Sequence, residues 1–238
     1  LRVSTAVLAD LMPHDALNPE HIHILSWNIA KGRHRDWQGD LQHLTKDVDL
    51  ALIQEATLEH AMHKAIPDAC WKFAPGFTSH QHTTGVLTIA RAHTLKHSAH
   101  RHWEPLTRLP KAALVTEYRL RGSDQTLLVA NVHAINFTAG TGYFRHQLAS
   151  VAQQLAEHRG PLVLSGDFNT WRNKRLNILN ELIGDLDLHG IDFAQDHRRH
   201  AFGFALDHIF VRGLHHKGSQ VRRVYSSDHN PLSVILSA

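Results

Sequence analysis

Apolar and polar positions alternate along Ile22–Trp27 with a period of two, the mark of a strand with one covered face. Asp36–Lys46 follows with Trp37, Leu41 and Leu44 at helical spacing, and Asp49–Gln54 is a short, nearly all-apolar strand. Leu58–Ile66 reads as helical until Pro67, which lacks the N–H that another turn needs. From Trp71 to Asn136 the pattern turns to β. Gly85–Ala90, Ala112–Arg119 and Thr126–Asn136 are predicted strands, Ala92–Trp103 is another, and Gly122–Ser123–Asp124 is a turn. Tyr143–His158 is the plainest helix: Phe144, Leu148, Val151 and Leu155 form one stripe, and Gly160–Pro161 stops the chain beyond it. Strand Leu162–Ser165, helix Arg172–Ile183 and strands around Leu206–Val211, Val221–Tyr225 and Leu232–Leu236 complete the series.

No linker, repeat or low-complexity tract interrupts this mixture. It implies one α/β domain over residues 21–238, with two β-sheets packed face to face and helices outside, although periodicity alone also admits other α/β arrangements. Residues 1–20, with two prolines and no period, read as an irregular lead-in, and a chain that starts at Leu1 is expected to have its natural start upstream. A length of 238 residues with 42% hydrophobic content is enough for one sizeable core. No apolar stretch is long enough to span a bilayer. The single cysteine, Cys70, excludes an intrachain disulfide and favours a reducing, cytoplasmic setting. The net charge of +3 rises as the 23 histidines protonate, which suits an anionic substrate.

The candidate chemistry sits where apolar runs end. Asn28 closes HILSWNIA, Glu55 follows LALIQ, and His133 and Asn136 lie in LLVANVHAIN. Asp167 and Asn169 end LVLSGDFNT, Asp207 interrupts FALDHIFV, and Asp228 and His229 are adjacent in SSDHNPLSV. Strands that all end in a carboxylate, amide or imidazole point to one polar site at a sheet edge. Oxygen donors with histidine and no cysteine suit a hard divalent cation and a phosphate ester. In GDFNT, Gly166 lets the backbone turn, while Asp167 and Asn169 project to one side and can take a proton from water and orient it. The same residues would also serve as an Asx-turn. The side chains of Asp228 and His229 need not face the same way, so one can meet a metal while the other meets a phosphate, or the pair simply forms a capped turn. Glu55 at the end of a buried strand calls for a cation or water, or else begins the next helix. Asp207 can orient His229 or bond a nearby loop. Asn28 and Asn136 are residue types that commonly end strands, and a lone histidine such as His133 in an apolar strand is more often a satisfied core group.

Taken in order, SWN, QEA, NVHAIN, GDFN, LDHIFV and SDHNPL resemble the endonuclease/exonuclease/phosphatase superfamily, which includes DNase I and the exonuclease III-like abasic-site enzymes, across residues 22 to 236. Within it, KAALVTEY, HAINFTAG, GDFNTWRNKRLN and SSDHNPL look most like the bacterial YafD-like branch. The resemblance implies a four-layer α/β/β/α sandwich and hydrolysis of a phosphoester with Mg²⁺ or Mn²⁺. It implies Glu55 as a metal ligand with Asn28 and Asp228 beside it, Asp167 polarising the attacking water and Asn169 positioning it. Asp207 would orient His229, His229 would stabilise phosphoryl charge, His133 would match the DNase-like histidine, and Asn136 (with Asn28) would contact the phosphate. Two departures stand out. Ala30 occupies a position where abasic-site enzymes often carry a second acid, and the paired cysteines of secreted DNases are missing.

Basic residues follow the same motifs: Lys31, Arg33 and Arg35, then Arg172, Lys174 and Arg175, then Arg198 and Arg199. They would ring the pocket for a nucleic-acid backbone if their loops share the sheet edge, or be ordinary solvated charges if not. Trp103 and Trp171 are candidate stacking platforms, whereas Trp37 fits the buried face of its helix. Nucleic acid is therefore the expected substrate. A phosphatase or lipid-headgroup phosphodiesterase, and a catalytically silent nucleic-acid-binding protein, are the alternatives. Histidines such as His93, His97, His100, His102 and His215–His216 lack a compact ligand motif and read as surface composition.

Overall fold

The computed structural model describes residues 14–58, 62, 70–79 and 82–238. The elements are β1 (Ile22–Asn28), a 3₁₀ turn (Ala30–Gly32), α1 (Trp37–Thr45), β2 (Leu50–Thr57), β3 (Cys70–Thr78), β4 (Thr83–Ala90), β5 (Thr94–His102) and β6 (Lys111–Arg119). They continue with β7 (Thr126–His133), α2 (Gly142–Glu157), β8 (Leu162–Asp167), α3 (Asn173–Asp185), β9 (His189–Gly190), β10 (His200–Ala201), β11 (Phe204–Ala205), β12 (Asp207–Arg212), β13 (His215–Val221) and β14 (Leu232–Ser237). Two six-stranded sheets result, in the orders β13-β14-β1-β2-β4-β3 and β5-β6-β7-β8-β12-β9, with β10 and β11 forming a separate ribbon. The central pair of each sheet is parallel, β1 with β2 and β7 with β8, and the remaining pairs within the two sheets are antiparallel.

The period of two generates the layers. Ile22 and Ile24, Leu50 and Leu52, Val129, Val163, Ile209 and Val234 meet between the sheets. Leu25, Trp27, Ala51 and Ile53 point the other way, onto Trp37 and Leu41 of α1. On the far side Val115, Leu128, Ala130, Val132 and Leu164 take Phe144, Leu148, Val151 and Leu155 of α2, with Ile178 and Leu179 of α3. The chain is thus a helix/sheet/sheet/helix sandwich, as the motifs imply. Burying one such aliphatic side chain is worth about 1.5–3 kcal/mol, so three clusters of this size hold the layers together.

The inward faces change character along their length. Ile22 and Ile24 give way to Ser26 and Asn28, Leu50 and Leu52 to Gln54, Val129 to Asn131 and His133, and Val163 to Ser165 and Asp167, all buried. On β12 the gradient runs the opposite way, from Asp207 to Ile209 and Val211, because that strand is antiparallel to β8. Register aligns the polar ends: Asn28 pairs Gln54, His133 pairs Asp167, and Asp207 pairs Asp167. Between the apolar core and these ends lies a buried amide layer in which Gln54 Nε2 donates to Asn131 Oδ1 at 2.8 Å and Asn131 Nδ2 to the Leu87 carbonyl at 3.0 Å.

Some boundaries differ from the sequence pattern. The strand expected through Asn136 ends at His133, and the one expected at Val221–Tyr225 is instead His215–Val221, an edge strand that stops where the other was to begin. The strand β3 and the β10–β11 hairpin carry no individual expectation, and the helix expected at Leu58–Ile66 lies largely outside the described residues. The end of the lead-in is tied down: His14 bridges to Ala92 and Leu17 to Leu120, and Leu17 is buried. Among the described residues no helix is long and apolar enough to cross a membrane.

Candidate active site at the seam between the sheets

The first sheet brings Asn28 at the end of β1, Glu55 on β2 and His229 in the turn before β14, while the second brings His133, Asp167 and Asp207 from β7, β8 and β12. Each contact that closes the site joins the two sheets. Asn28 Nδ2 donates to Asp167 Oδ2 at 3.0 Å, His229 Nδ1 lies 2.7 Å from Asp207 Oδ2, and His133 Nε2 lies 3.6 Å from Glu55 Oε1.

Gly166 explains the placement of Asp167. It has φ +145°, and a Cβ there would stand 1.9 Å from the Val132 carbonyl oxygen of the neighbouring strand, so only glycine fits. Asp167 then accepts the backbone N–H of Asn169 on Oδ1 at 3.0 Å and the Asn28 amide on Oδ2. Asn169, at φ +51°, donates its Nδ2 to the Ala134 carbonyl at 3.0 Å, which fixes the plane of its amide. Burial pushes the Asp167 carboxyl up, against the pull of His229 and together with the charge of Asp207, to about 6. Burial acts on His229 in the opposite sense, but the carboxylates of Asp207, Asp167 and Asp228 outweigh it and carry the imidazole up to about 10. Its Nε2 stands 4.0 Å from Asp167 Oδ2.

His133 is a different histidine. Burial first, then the charges of Lys111, His229 and Lys31, hold it well below its ordinary range, so it is neutral. Lys111 Nζ donates to its Nε2 at 3.0 Å, which puts the ring proton on Nδ1. The same Nε2 lies 3.7 Å from Asp167 Oδ2, so His133 stands between the Glu55 and Asp167 carboxylates. Asn136 is steered from two sides: its Oδ1 accepts Trp171 Nε1 at 2.9 Å and its backbone N–H donates to Glu104 Oε2 at 2.5 Å.

Glu55 sits where a bulge between Ile53 and Ala56 shifts the register with β4, at φ +51°, a conformation that costs a non-glycine residue about 1–3 kcal/mol. Its carboxylate is partly exposed, and its closest groups among the described residues, Lys31 Nζ at 3.8 Å and His133 Nε2, are beyond hydrogen-bond reach. A strained, under-bonded carboxylate with neighbouring oxygens fits a hard divalent cation. Asn28 Oδ1 already accepts the Ala30 N–H at 3.0 Å, so its second lone pair is the one left for an ion. Asp228 is exposed and reaches the cluster through its charge on His229. Asp167, Asp207 and His229 also offer ligand atoms within 4.8 Å of one another, with Asp207 and His229 already joined by the 2.7 Å Oδ2–Nδ1 bond.

The basic loops divide. Arg33, Arg35, Lys174 and Arg199 are exposed. Arg175, in contrast, is fully buried: it donates to the carbonyls of Ile135 and Asn136 and stacks 4.0 Å above Phe144, so it braces the Asn136 loop and meets neither solvent nor substrate. Arg198 is held by Asp196 at 2.7 Å. Trp171 lies under Arg172, Trp103 is exposed, and Trp37 is buried. His100 and His102 do share a face, bonded to Gln154 and Ser150 of α2, and no metal-spaced group among the described residues includes them. The linear pattern missed Glu104, Lys111 and the Gln54–Asn131 pair, whose partners lie between 22 and 77 residues away.

The model of the endonuclease/exonuclease/phosphatase family matches residues 25–229. A protein of Erwinia tasmaniensis named UPF0294 is 38% identical over 224 residues, covering 92% of this chain and 82% of its own length. The human Nocturnin catalytic domain, solved with a bound sulfate anion, superposes with a TM-score of 0.71 at 18% identity, covering 93% of this chain and 96% of that domain. A mannosyl-6-phosphatase of Bacteroides thetaiotaomicron VPI-5482 superposes with a TM-score of 0.68 at 18% identity, covering 91% of this chain and all of that one.

Proposed function

The chain belongs to the endonuclease/exonuclease/phosphatase family, whose members are phosphoester hydrolases, and we propose that this one cleaves phosphodiesters of nucleic acid with Mg²⁺ or Mn²⁺. The observation that carries the reading is the pairing across the seam: a buried carboxylate, Asp167, beside an imidazole that three carboxylates keep protonated. In-line attack at phosphorus needs both, a base for the incoming water and a donor for the charge that builds on the phosphoryl oxygens.

Asp167 takes the proton from water that the Asn169 amide oxygen orients, while Asn28 and the Asn169 N–H fix its two oxygens. His229, aligned by Asp207, donates through Nε2 to a non-bridging oxygen. Asn136 Nδ2, turned outward by Trp171, gives a second donor. The cation would be held by Glu55, with Asn28 and Asp228 nearby, and when bound it supplies charge neutralisation on the phosphate. The exposed cations Arg33, Arg35, Lys174 and Arg199 favour a polyanion over a small neutral-bodied ester. The bound sulfate of the Nocturnin domain supports a phosphate-shaped ligand, and the name of the Bacteroides neighbour keeps a phosphatase as the competing reading.

The test is a panel of plasmid, abasic duplex, single strand, phosphoinositide and sugar phosphate with added Mg²⁺ or Mn²⁺. Cleavage of a nucleic acid that EDTA stops is the expected result. Turnover of monoesters or lipid headgroups alone would transfer the site to phosphatase chemistry, and metal-independent DNA binding without turnover would make the protein a binder.

A further inference from the structure

Lys31 and Lys111 come from opposite sheets, one from the turn after β1 and the other from the first position of β6, and both reach the Glu55–His133 contact. They line one end of a cleft whose walls are Gly76, Phe77, Thr84, Leu109 and Pro110. The walls are fixed by close backbone approach. A Cβ on Gly76 would stand 2.8 Å from the Pro110 carbonyl oxygen, and Arg101 Nε holds the Gly76 carbonyl at 2.9 Å. Two ammonium groups and one carboxylate, Glu55, line the cleft at that end. Lys31 and Lys111 thus converge from opposite sheets beside the Glu55–His133 contact, and neither lysine is needed to generate the attacking water.

We infer that Lys31 and Lys111 form a second anion subsite, which binds the non-reacting phosphate of a substrate that carries at least two phosphate groups. The inference rests on the phosphoester-hydrolase reading and adds to it a substrate class. Lysine ammoniums suit this task because they meet phosphate as mobile point charges, and each charge-assisted bond is strong enough to shift affinity about tenfold. Phe77, Leu109 and Pro110 give the carrier of that phosphate an apolar wall.

The first measurement is calorimetric titration of pyrophosphate into metal-free protein. Lys31→Met and Lys111→Met should each weaken binding about tenfold, Lys31→Arg should keep most of it, and Lys217→Met, on the exposed far edge strand, should leave it unchanged. Lys31 is one-third exposed on a turn, so its loss does not threaten the fold even if that of Lys111 does. Equal losses with Lys217→Met would reduce the effect to general charge and overturn the subsite. The second measurement compares kcat/KM for a dinucleotide with and without a terminal phosphate, and for a sugar bisphosphate against its monophosphate. A preference of about tenfold for the doubly charged member, lost in Lys31→Met, supports the subsite and tells which carrier it takes. Turnover without preference refutes it while leaving the hydrolase reading intact. If no ester is cleaved the hydrolase reading fails, and the pyrophosphate titration then decides the subsite alone.

Discussion

The two sheets supply halves of the site that differ in kind. The half built on β8 and β12 is buried and internally bonded: Asp167 has two donors and Asp207 holds His229 at 2.7 Å. The half built on β2 is open: Glu55 stands on a bulge at positive φ, with its nearest cation among the described residues at 3.8 Å. A buried carboxylate must have donors or it loses its charge, so the first half is complete without any ligand. The second half keeps a residue at positive φ and a carboxylate that is partly open to solvent, where a ligand can reach it. On the proposed mechanism, proton transfer falls to Asp167 in the buried half and ion capture to Glu55 in the open one.

The largest effect is expected in the buried half. Asp167→Asn keeps the shape and one acceptor for Asn28 but removes the base, so kcat on a cleavable ester should fall about 10³–10⁴-fold, or roughly 4–5 kcal/mol. Circular dichroism should stay that of the parent, while the melting temperature falls modestly, because the amide leaves the Asn169 N–H without its acceptor although burial already opposes the lost charge. A variant that retains a tenth of parental turnover would move the base elsewhere. Next in size is Gly166→Ala. Its methyl would collide with Val132, and its φ is one that side chains avoid, so denaturant titration should show a loss of about 3–5 kcal/mol. Unchanged stability would mean that Asp167 is not held by the close approach of β8 to β7.

This division also explains what could be read from the sequence. Asp167, Asp207, His133 and Asn28 were visible because each ends or begins an apolar run of period two, so strand and site share one signal. Glu55 was visible by the same rule, but its bulge was not, since an extra residue in a ladder leaves no mark in an apolar run. The edge strands were poorly legible. His215–Val221 (HHKGSQV) is polar on both faces, as an edge tolerates, while residues 222–225 after it belong to no strand. Glu104, Arg175 and Lys111 could not be found locally, because a charge looks solvated until the distant backbone that neutralises it is known. Arg175 is the instructive case: it follows GDFNT in a helix that ought to expose it, yet it is fully buried under the Asn136 loop.

A smaller effect separates the halves by metal affinity. Glu55→Gln should weaken Mn²⁺ binding at least about tenfold by calorimetry, whereas Asp207→Asn should change it less than about threefold. The reverse ranking would place the ion among Asp167, Asp207 and His229, whose ligand atoms are also within 4.8 Å of one another, and would erase the distinction between the halves.

The smallest effect is on pH stability, and it comes from a neutral histidine behind the buried half. His208 Nε2 lies 2.9 Å from Thr170 Oγ1 and 3.1 Å from the Ala205 carbonyl, so Nε2 carries the proton and Nδ1 faces Arg198. Burial, then the Arg198 charge, lower its pKa to about 4. The unfolded chain, with an ordinary imidazole near 6.5, therefore binds more protons than the folded one between those values. The stability contributed by this neutral ring is complete above about pH 6.5 and is lost as pH falls toward 4. Because His208 is not fully buried, the loss should be about 2 kcal/mol at most. His208→Gln can still donate to Thr170 but cannot take up a proton, so its melting temperature should fall less than that of the parent between pH 7 and 5. Parallel curves for the two proteins would show that acid sensitivity arises elsewhere, with the Asp207–His229 pair the first place to look.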